Sequence, residues 1–251
     1  MNIKIAVPEN KIFHKLYENY NQQTDISLYK VDENALFDLI KSNRVDIALV
    51  TPLIYAKLSK VADFRIIPEN CLVADSYTEL STIYFRQNIP EIKKIASPNP
   101  NDFLTIIAKI LFAEQYDIHS EIIKCTSDLE IELRNNDIVI DYGKDENYSI
   151  TVDVTEEWTF QYESQLPLAF WICKAEEYPS NVREIIRKIA NIHPSNQIRV
   201  EDNTIEIYDY ERSGFIRYSF EKEFKDSLEF TIEHLFYHQF ISDIADVKIF
   251  E

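Results

Sequence analysis

The sequence DIALVTPLIYA, at residues 46–56, indicates more about the architecture of this chain than any other part of it. Residues 46–50 include four consecutive apolar side chains, which is typical of a short parallel strand covered on both faces. Pro52 interrupts that strand, and residues 53–58 begin a helical turn. A strand that passes directly into a helix is the repeating unit of an α/β fold.

The same alternation extends from this stretch in both directions. Strands are predicted at residues 3–7 and 26–31, with amphipathic helical segments at residues 12–20 and 35–40. Extended segments follow at residues 64–67 and 81–85. This order predicts a parallel sheet with helices on both faces.

A second series of strands and helices begins after residue 90. Its strands are predicted at residues 93–96, 121–125 and 137–141, and its helices at residues 103–115 and 129–135. Two such series predict an α/β protein of two lobes, each a mixed sheet flanked by helices.

We expect residues 1–85 and 174–251 to form lobe 1, and residues 86–173 to form lobe 2. Residues 167–172 predict a buried strand, and residues 181–192 a helix that returns the chain to lobe 1. Residues 198–220 resemble a β-hairpin with its turn at 209–214, and an amphipathic helix closes the chain.

Glycine is almost absent, because Gly143 and Gly214 are the only two in 251 residues. Walker loops and dinucleotide-binding loops both need several glycines so that backbone amides can approach phosphate. The sequence also has no GxSxG nucleophile elbow. Kinases, GTPases, common dehydrogenases and typical α/β-hydrolases are therefore excluded.

Charge and cysteine usage indicate the compartment and exclude some partners. A net charge of −17 argues against a nucleic acid or an anionic membrane as partner. The longest apolar run, residues 166–173, is too short to span a bilayer, and the N-terminus lacks the pattern of a secretory signal. Three widely spaced cysteines fit free thiols better than a disulfide framework or a zinc site. We expect a cytoplasmic protein without a metal.

Polar residues follow the predicted strands at the ends where open α/β sheets bind ligands. In lobe 1 these are Asn10, Thr51 and Tyr55, after the strands at residues 3–7 and 46–50. In lobe 2 the corresponding positions are Ser97, Asn99, Asn101, Asp141 and Gly143. The helix that starts near residue 103 can bind an anion with its first backbone amides. Each of these residues can also be an ordinary turn or capping residue.

Several stretches resemble the MqnA-type proteins of menaquinone biosynthesis. Residues 46–56 are similar to the family's DvALiSSvEYA, and IIPENCL at 66–72 is similar to iLPDlCI. The most specific match is DVTEEW at 153–158 followed by LPLAFW at 166–171, which resembles DLgeEW…GLPFvfAvW. The resemblance covers about residues 1–190 and implies a type II periplasmic-binding-protein-like fold.

The resemblance also implies an activity. The family consists of cytoplasmic chorismate dehydratases, which convert chorismate to 3-[(1-carboxyvinyl)oxy]benzoate by loss of water and without a cofactor. This elimination needs a base for the ring proton and fixation of two carboxylates in a dry cleft. On this basis we expect Asn10 and Lys11 to be catalytic, and Thr51 and Ser81 to bind carboxylates. Arg86, near the predicted hinge, is the best-placed cation.

The pocket segments depart from the family pattern. Lys11 stands at the family's asparagine, and Pro52 replaces one of two paired serines. PNPNDFL at 98–104 replaces the family's anion-binding SSSRTS loop, which removes an arginine, places Asp102 at a helix start and leaves Asn99 and Asn101 to replace serines. The alternative is therefore a protein of the same fold that binds a small molecule, or only a partner protein, without turnover. In the ligand-binding cases we expect a small anionic molecule in the cleft between the lobes.

Overall fold

A computed structural model gives the structure of the chain and describes residues 2–20, 26–89, 91–148, 151–178, 180–192, 197–202 and 211–251. The chain divides into two compact units. Unit 1 consists of Met1–Val73, Pro167–Gln197 and Arg217–Glu251, and unit 2 of Ala74–Leu166 and Ile198–Ile216.

Strands and helices alternate through the described residues. The strands are β1 (Ile3–Pro8), β2 (Ile26–Val31), β3 (Ile47–Val50), β4 (Phe64–Ile66), β5 (Leu72–Ser76), β6 (Ser81–Phe85), β7 (Ile95–Ser97), β8 (Ile122–Lys124), β9 (Ile138–Tyr142), β10 (Thr151–Asp153), β11 (Leu166–Lys174), β12 (Gln197–Glu201) and β13 (Ser213–Arg217). The α-helices are α1 (Glu33–Lys41), α2 (Pro52–Leu58), α3 (Phe103–Tyr116), α4 (Leu129–Asn135), α5 (Val154–Tyr162), α6 (Val182–Ile189) and α7 (Phe224–Tyr237). Short 3₁₀ helices lie at Lys11–Leu16 and Ala175–Glu177.

The sheet of unit 1 has a parallel centre. β1 pairs in parallel with β2 and β3, and all four residues of β3 are buried. β11 lies antiparallel to β3, with Phe170 opposite Val50, and β4 pairs antiparallel with β11. The apolar run at residues 47–50 therefore forms the doubly covered strand that its pattern predicts.

The sheet of unit 2 is mixed, in the order β10-β6-β9-β7-β8. β7 is parallel to both β8 and β9, whereas β6 is antiparallel to β9 and β10 is antiparallel to β6. α3 packs against α5. Nine residues of α3 are buried, because the segment FLTIIAKILFAEQY is apolar around most of its circumference. The prediction of an α/β fold with mixed sheets is confirmed.

The unit boundaries differ from the predicted ones. We expected residues 1–85 with 174–251 in one lobe and 86–173 in the other. β6 instead belongs to unit 2, because it pairs with β9 and β10, and most of β11 belongs to unit 1, because it pairs with β3 and β4. Residues 198–216 also group with unit 2, although β12 and β13 belong to the eight-stranded sheet in the order β12-β13-β5-β11-β3-β1-β2.

Some elements differ from the predicted ones as well. The helix expected at residues 12–20 is a 3₁₀ helix of six residues, Lys11–Leu16. The strands β5 and β10 and the helix α5 have no predicted counterpart. β12 and β13 form the two arms of the predicted hairpin and are neighbours in the sheet. Residues 209 and 210 of its predicted turn lie outside the described residues, and the last two turn residues, Ser213 and Gly214, instead begin β13.

The cysteine side chains are free thiols with raised pKa values. All three cysteines are free, and burial raises the pKa of Cys173 to about 12 and that of Cys125 to about 11. Thiols with raised pKa values are poor nucleophiles. Among the helices of the described residues, we find none with the length and apolar character needed to cross a bilayer.

Candidate functional site

The carboxyl edge of the unit 1 sheet brings the two predicted catalytic residues near Thr51. β1 and β3 are parallel, so their carboxyl ends lie at the same edge. Asn10 caps the 3₁₀ helix that follows β1, and its Oδ1 accepts a hydrogen bond from the Ile12 backbone nitrogen at 3.2 Å. Lys11 is exposed at the start of that helix. The side-chain oxygen of Asn10 is therefore used to cap the 3₁₀ helix, whereas Lys11 faces solvent.

Thr51 is buried and already has a carboxylate partner. Its Oγ1 donates to Oε2 of Glu33 at 3.2 Å, and Glu33 lies in the first turn of α1, after the parallel strand β2. Tyr55, one turn along α2, is buried, and its hydroxyl donates to the Asp246 carbonyl and accepts from the Lys248 nitrogen, both at 3.0 Å. Thr51 therefore lies at the edge of the sheet, whereas Tyr55 attaches α2 to the C-terminal segment.

A pocket at the same edge of unit 1 has no counterpart in the sequence predictions. We call it the Tyr218 pocket; its volume is about 410 Å³ and its walls include Glu69, Asn70, Arg187, Ile192, Tyr218 and Phe220. β4 runs antiparallel to β11, as β3 does, so Glu69 and Asn70 leave the sheet on the side where β3 ends. The pocket therefore lies where an open α/β sheet is expected to bind a ligand.

The register of the unit 2 sheet brings most of the lobe 2 candidates together. β7 and β9 are parallel and end at Ser97 and Tyr142, and β6 starts at this edge with Ser81 opposite Tyr142. Gly143 has a φ of 77°, which favours glycine, and its nitrogen donates to the Leu80 carbonyl at 3.1 Å. Asp141 precedes it in β9, and Asn99 and Asn101 lie in the loop from β7 to α3.

The polar groups at this edge bond mainly to one another. Ser97 is buried; its hydroxyl lies 3.3 Å from that of Thr105 and accepts from the Asn99 nitrogen at 3.1 Å. The Tyr142 hydroxyl donates to Oδ2 of Asp102 at 3.2 Å, and Asp102 is the residue before α3. The helix start where we expected an anion therefore carries a carboxylate of the chain itself, which repels an anionic ligand.

A buried group of charges follows Gly143, and we call it the Lys144 cluster: Lys144, Arg212, Asp202, Glu79 and Glu156. The Lys144 ammonium lies 3.2 Å from Oδ1 of Asp202 and 3.3 Å from Oε1 of Glu79. Arg212 contacts Oδ2 of Asp202 at 3.3 Å and Oε2 of Glu156 at 2.5 Å. The side chains of Lys144, Asp202 and Arg212 are each less than 5% exposed. One carboxylate, that of Asp202, thus bridges two buried cations.

Tyr77 completes this arrangement. Its hydroxyl donates to Glu79 at 2.6 Å and accepts from Lys144 at 3.0 Å, and its ring centroid lies 4.4 Å from the Arg212 guanidinium carbon. Burial lowers the pKa of Lys144, but Asp202 and Glu79 outweigh this and raise it above its ordinary value. Burial and Glu79 raise the pKa of the Tyr77 hydroxyl. Both groups therefore stay protonated at neutral pH.

Arg86 lies apart from the other candidates. It follows the last residue of β6 and so lies at the other end of that strand from Ser81. Its guanidinium is 2.5 Å from Oδ1 of Asp137. The backbone amides of Lys93 and Lys94, together with Arg86, lower the pKa of that carboxyl. The structure thus places Arg86 in an ion pair at the start of β9, away from the edge where the hydroxyls and amides meet.

Neither a search for metal-binding groups nor a comparison with known sequences identifies the function of these sites. Within the described ranges there is no group of three His, Cys, Asp or Glu side chains that could hold a metal ion. No family model matches the chain. A search of curated proteins finds no match either.

Solved structures match nearly the whole chain. Protein AF1704 from Archaeoglobus fulgidus aligns with a TM-score of 0.61 at 14% identity, over 96% of this chain and 98% of that one. The periplasmic aliphatic sulphonate binding protein SsuA from Escherichia coli aligns with a TM-score of 0.58 at 11% identity, over 98% and 95%. This chain has a type II periplasmic-binding-protein-like fold. An ABC transporter protein from Parabacteroides distasonis has the same fold, with a TM-score of 0.56 at 11% identity over 100% and 99% of the two chains.

Sequence reasoning did not find the two most developed polar sites on this type II fold. Lys144 and Asp202 are far apart in the chain, and their charges are typical of solvated surface residues. Asn70 lies within IIPENCL, and the Trp171 indole that bonds to it lies within LPLAFW; both segments carry the family resemblance. Because both segments resemble the same family, that resemblance was the one indication in the sequence that residues 66–72 and 166–171 belong to one site.

Proposed function

We propose that this chain is a small-molecule-binding protein that does not chemically convert its ligand. The carboxyl edge of each sheet supports binding, because each unit gathers hydroxyls, amides and aromatic rings there. The type II fold supports it too, since one similar structure is described as binding aliphatic sulphonates. The expectation of a ligand between the lobes stays a prediction.

The Lys144 cluster is the observation that favours binding over turnover. Dehydration of chorismate needs a base and cationic or donor groups that hold two carboxylates. In unit 2 the buried cations Lys144 and Arg212 are neutralised by the chain's own Asp202, Glu79 and Glu156. The groups that would hold substrate carboxylates at this edge are therefore engaged in the fold.

The unit 1 edge shows the same tendency. Thr51 donates its hydroxyl to Glu33, and Asn10 uses its Oδ1 to cap a helix. A hydroxyl bonded to a buried carboxylate presents a lone pair, not a proton, to a ligand, which disfavours binding of a second carboxylate at Thr51. Neither the Thr51 hydroxyl nor the Asn10 amide is a base at neutral pH, so these two groups do not supply the proton abstraction that dehydration needs.

Dehydration of chorismate in menaquinone biosynthesis is the second candidate. The resemblance of residues 46–56, 153–158 and 166–171 to the MqnA-type family favours it. In that case Asn10 and the exposed Lys11 would contact substrate at the unit 1 edge, beside Thr51.

Chorismate separates the two candidates. The purified chain is incubated at high concentration with chorismate, while the loss of chorismate absorbance and the appearance of product are followed; calorimetry measures binding in parallel. We expect saturable binding of chorismate, or of another small carboxylate or sulphonate in the same assay, with no product. Product formation that is lost in Lys11→Met and kept in Lys41→Met would establish the dehydratase. Failure of every compound to bind would overturn the binding proposal.

We also propose that the protein is cytoplasmic. Its three cysteines are free, and two of them are buried, as suits a reducing compartment. Fractionation of the source cells with an antibody to the chain tests this location. Recovery with the periplasmic fraction would overturn it.

A further inference from the structure

We infer that the Tyr218 pocket of unit 1 binds the carboxylate of a small aromatic acid. This inference rests on the proposed binding function and names the chemical class of the ligand and the side chains that hold it. It also reverses the expectation that the loop before α3 in unit 2 binds the anion, because Asp102 occupies that position.

Tyr218 supplies the first hydrogen-bonding group of the pocket. Tyr218 is 6% exposed, yet no described residue hydrogen-bonds its hydroxyl, and burial alone raises its pKa to about 12. In the described part of the chain, the hydroxyl is not among the fully buried polar atoms that lack a partner, so it is accessible to a molecule in the pocket. A hydroxyl with such a high pKa stays protonated, so it can donate to an acceptor that enters the pocket.

Asn70 supplies a second donor in the same pocket. Its Oδ1 accepts from the Trp171 indole at 2.7 Å, which fixes the orientation of the amide. The Nδ2 group of Asn70 has no hydrogen-bond acceptor among the described residues, and Asn70 lines the pocket. Tyr218 and Asn70 therefore offer two hydrogen-bond donors from the lining of one pocket, which suits an acceptor such as a carboxylate.

The charges around the pocket also favour an anion. Glu69 is the carboxylate in its wall, and Arg187 holds both of its oxygens at 2.7 and 2.8 Å, while Arg183 lies 4.0 Å away. Lys15 lies 5.9 Å above the Tyr218 ring centroid. Glu221, just beyond the pocket, accepts from the Ser219 hydroxyl at 2.7 Å and pairs with Arg217. The nearby carboxylates thus have their own cations or donors, and Lys15 adds a positive charge.

Aromatic walls define the rest of the ligand. Tyr218 and Phe220 both line the pocket, and the Phe220 ring lies 4.5 Å from that of Phe224, which holds it in place. Pro68 and Ile192 add apolar surface. A volume of about 410 Å³ accommodates a single-ring acid. The pocket therefore combines a flat apolar wall with two hydrogen-bond donors.

Benzoate, benzyl alcohol and benzylamine are the probes, because they share a ring and differ in the head group. Calorimetry and ligand-observed NMR measure their binding to the full chain, with Trp171 fluorescence as a local reporter. We expect benzoate to bind with a Kd on the order of 1 mM and the other two at least tenfold more weakly. Tighter binding of benzylamine would overturn the carboxylate assignment, and lack of binding by all three would overturn the site.

Two substitutions test the donors without removing the neighbouring contacts. Tyr218→Phe deletes only the hydroxyl, and we expect about fivefold weaker benzoate binding. Asn70→Asp keeps an acceptor for the Trp171 indole but replaces the amide donor with a negative charge, and we expect at least tenfold weaker binding. Tyr237→Phe, which removes the hydroxyl of an exposed tyrosine elsewhere in unit 1, is the matched control and should bind benzoate as the native chain does.

The outcomes separate this inference from the proposed function. Unchanged benzoate affinity in Tyr218→Phe and Asn70→Asp, with native circular dichroism, would overturn the pocket. If chorismate still binds both variants in that case, the proposed binding function would stand although the pocket assignment fails. Chorismate turnover by the native chain would overturn the proposed function, whatever the benzoate result.

Discussion

Asp202 shows how one residue can determine the state of a buried charge cluster. Its two carboxylate oxygens bond to Lys144 and Arg212, and all three side chains are almost fully buried. Asp202→Asn leaves two buried cations with one negative charge fewer, and we expect it to lower the free energy of unfolding by about 3 kcal/mol. Urea unfolding measures this change.

Asp243→Asn is the matched control for this prediction. Asp243 also pairs with a lysine, Lys60, but their side chains are 65% and 49% exposed. Exposed ion pairs contribute little, so we expect a change below about 1 kcal/mol. Equal effects of the two substitutions would contradict the role given to burial at Asp202.

The candidate site could be predicted from the sequence only in part. The turn residues after β3, β7 and β9 were identifiable because the sequence pattern of a strand shows where the strand ends. In the structure, the register of the unit 2 sheet brings Ser81, Ser97 and Gly143 to one edge. Whether those side chains face a ligand or bond to each other depends on partners distant in sequence. The bond from Thr51 to Glu33 is an example, because no spacing rule connects the two residues.

At the scale of elements, β13 lies so close to β5 that only glycine fits at position 214. A Cβ atom on Gly214 would stand 2.4 Å from the Asp75 carbonyl oxygen and 2.5 Å from the nitrogen and the oxygen of Tyr77. Backbone atoms cannot move aside as a side chain does, so we expect Gly214→Ala to lower the free energy of unfolding by about 3 kcal/mol. Gly143 has a φ of 77°, and we expect Gly143→Ala to cost about 1 kcal/mol for this positive φ in the same unfolding assay.

Helix α5 begins at a buried acid whose titration has a predictable effect. Asp153 accepts hydrogen bonds from the backbone nitrogens of Glu79, Thr155 and Glu156, and burial raises its pKa from 3.8 to about 6 despite these bonds. Between these two values the folded chain keeps a proton that the unfolded chain has released. The contribution of Asp153 to stability is therefore full below about pH 4 and is lost as the pH rises through about 6.

Asp153→Asn tests this titration, because asparagine caps a helix as well as aspartate does. We expect the stability of the native chain relative to Asp153→Asn to fall by up to about 3 kcal/mol between pH 4 and pH 7. Urea unfolding of both proteins at the two pH values measures the difference. A relative stability that rises with pH would show that the backbone amides, not burial, dominate the pKa of Asp153.

Elements with a clear hydrophobic period were predictable, and short irregular ones were not. The predicted strands at 26–31 and 81–85 and the predicted helix at 129–135 have the observed bounds. β10 has only three residues. Helix α5 has buried side chains at Val154, Thr155 and Trp158, which do not form an evident apolar stripe, so tertiary packing determines it.

At the scale of the whole molecule, neither unit is a continuous segment of chain. Unit 1 is made of three segments and unit 2 of two, so the chain passes between the units four times. We expect one cooperative unfolding transition, because neither unit is complete until distant parts of the chain are in place. Trp158 in unit 2 and Trp171 in unit 1 are both fully buried and report on one unit each.

Trp171→Phe and Trp158→Phe each leave a single tryptophan, and urea unfolding followed by its fluorescence reports on one unit. Circular dichroism of the same sample reports on the whole chain. We expect the fluorescence and dichroism midpoints to coincide within each variant. Separated midpoints would show that the units unfold independently. The sequence predicted two lobes correctly, but it could not show that residues 198–216 group with unit 2 while β12 and β13 follow β5 and β11 in the eight-stranded sheet, because hairpin arms carry no signal for their neighbours.

The Lys144 cluster also limits how such a protein can recombine. Lys144 belongs to the long segment Ala74–Leu166, whereas Asp202 and Arg212 belong to the short segment Ile198–Ile216. A chimera that exchanges only the long segment with a distant homologue would separate a buried lysine from the aspartate that neutralises it. Genetic exchange between such lineages is therefore compatible with folding when both segments are inherited together.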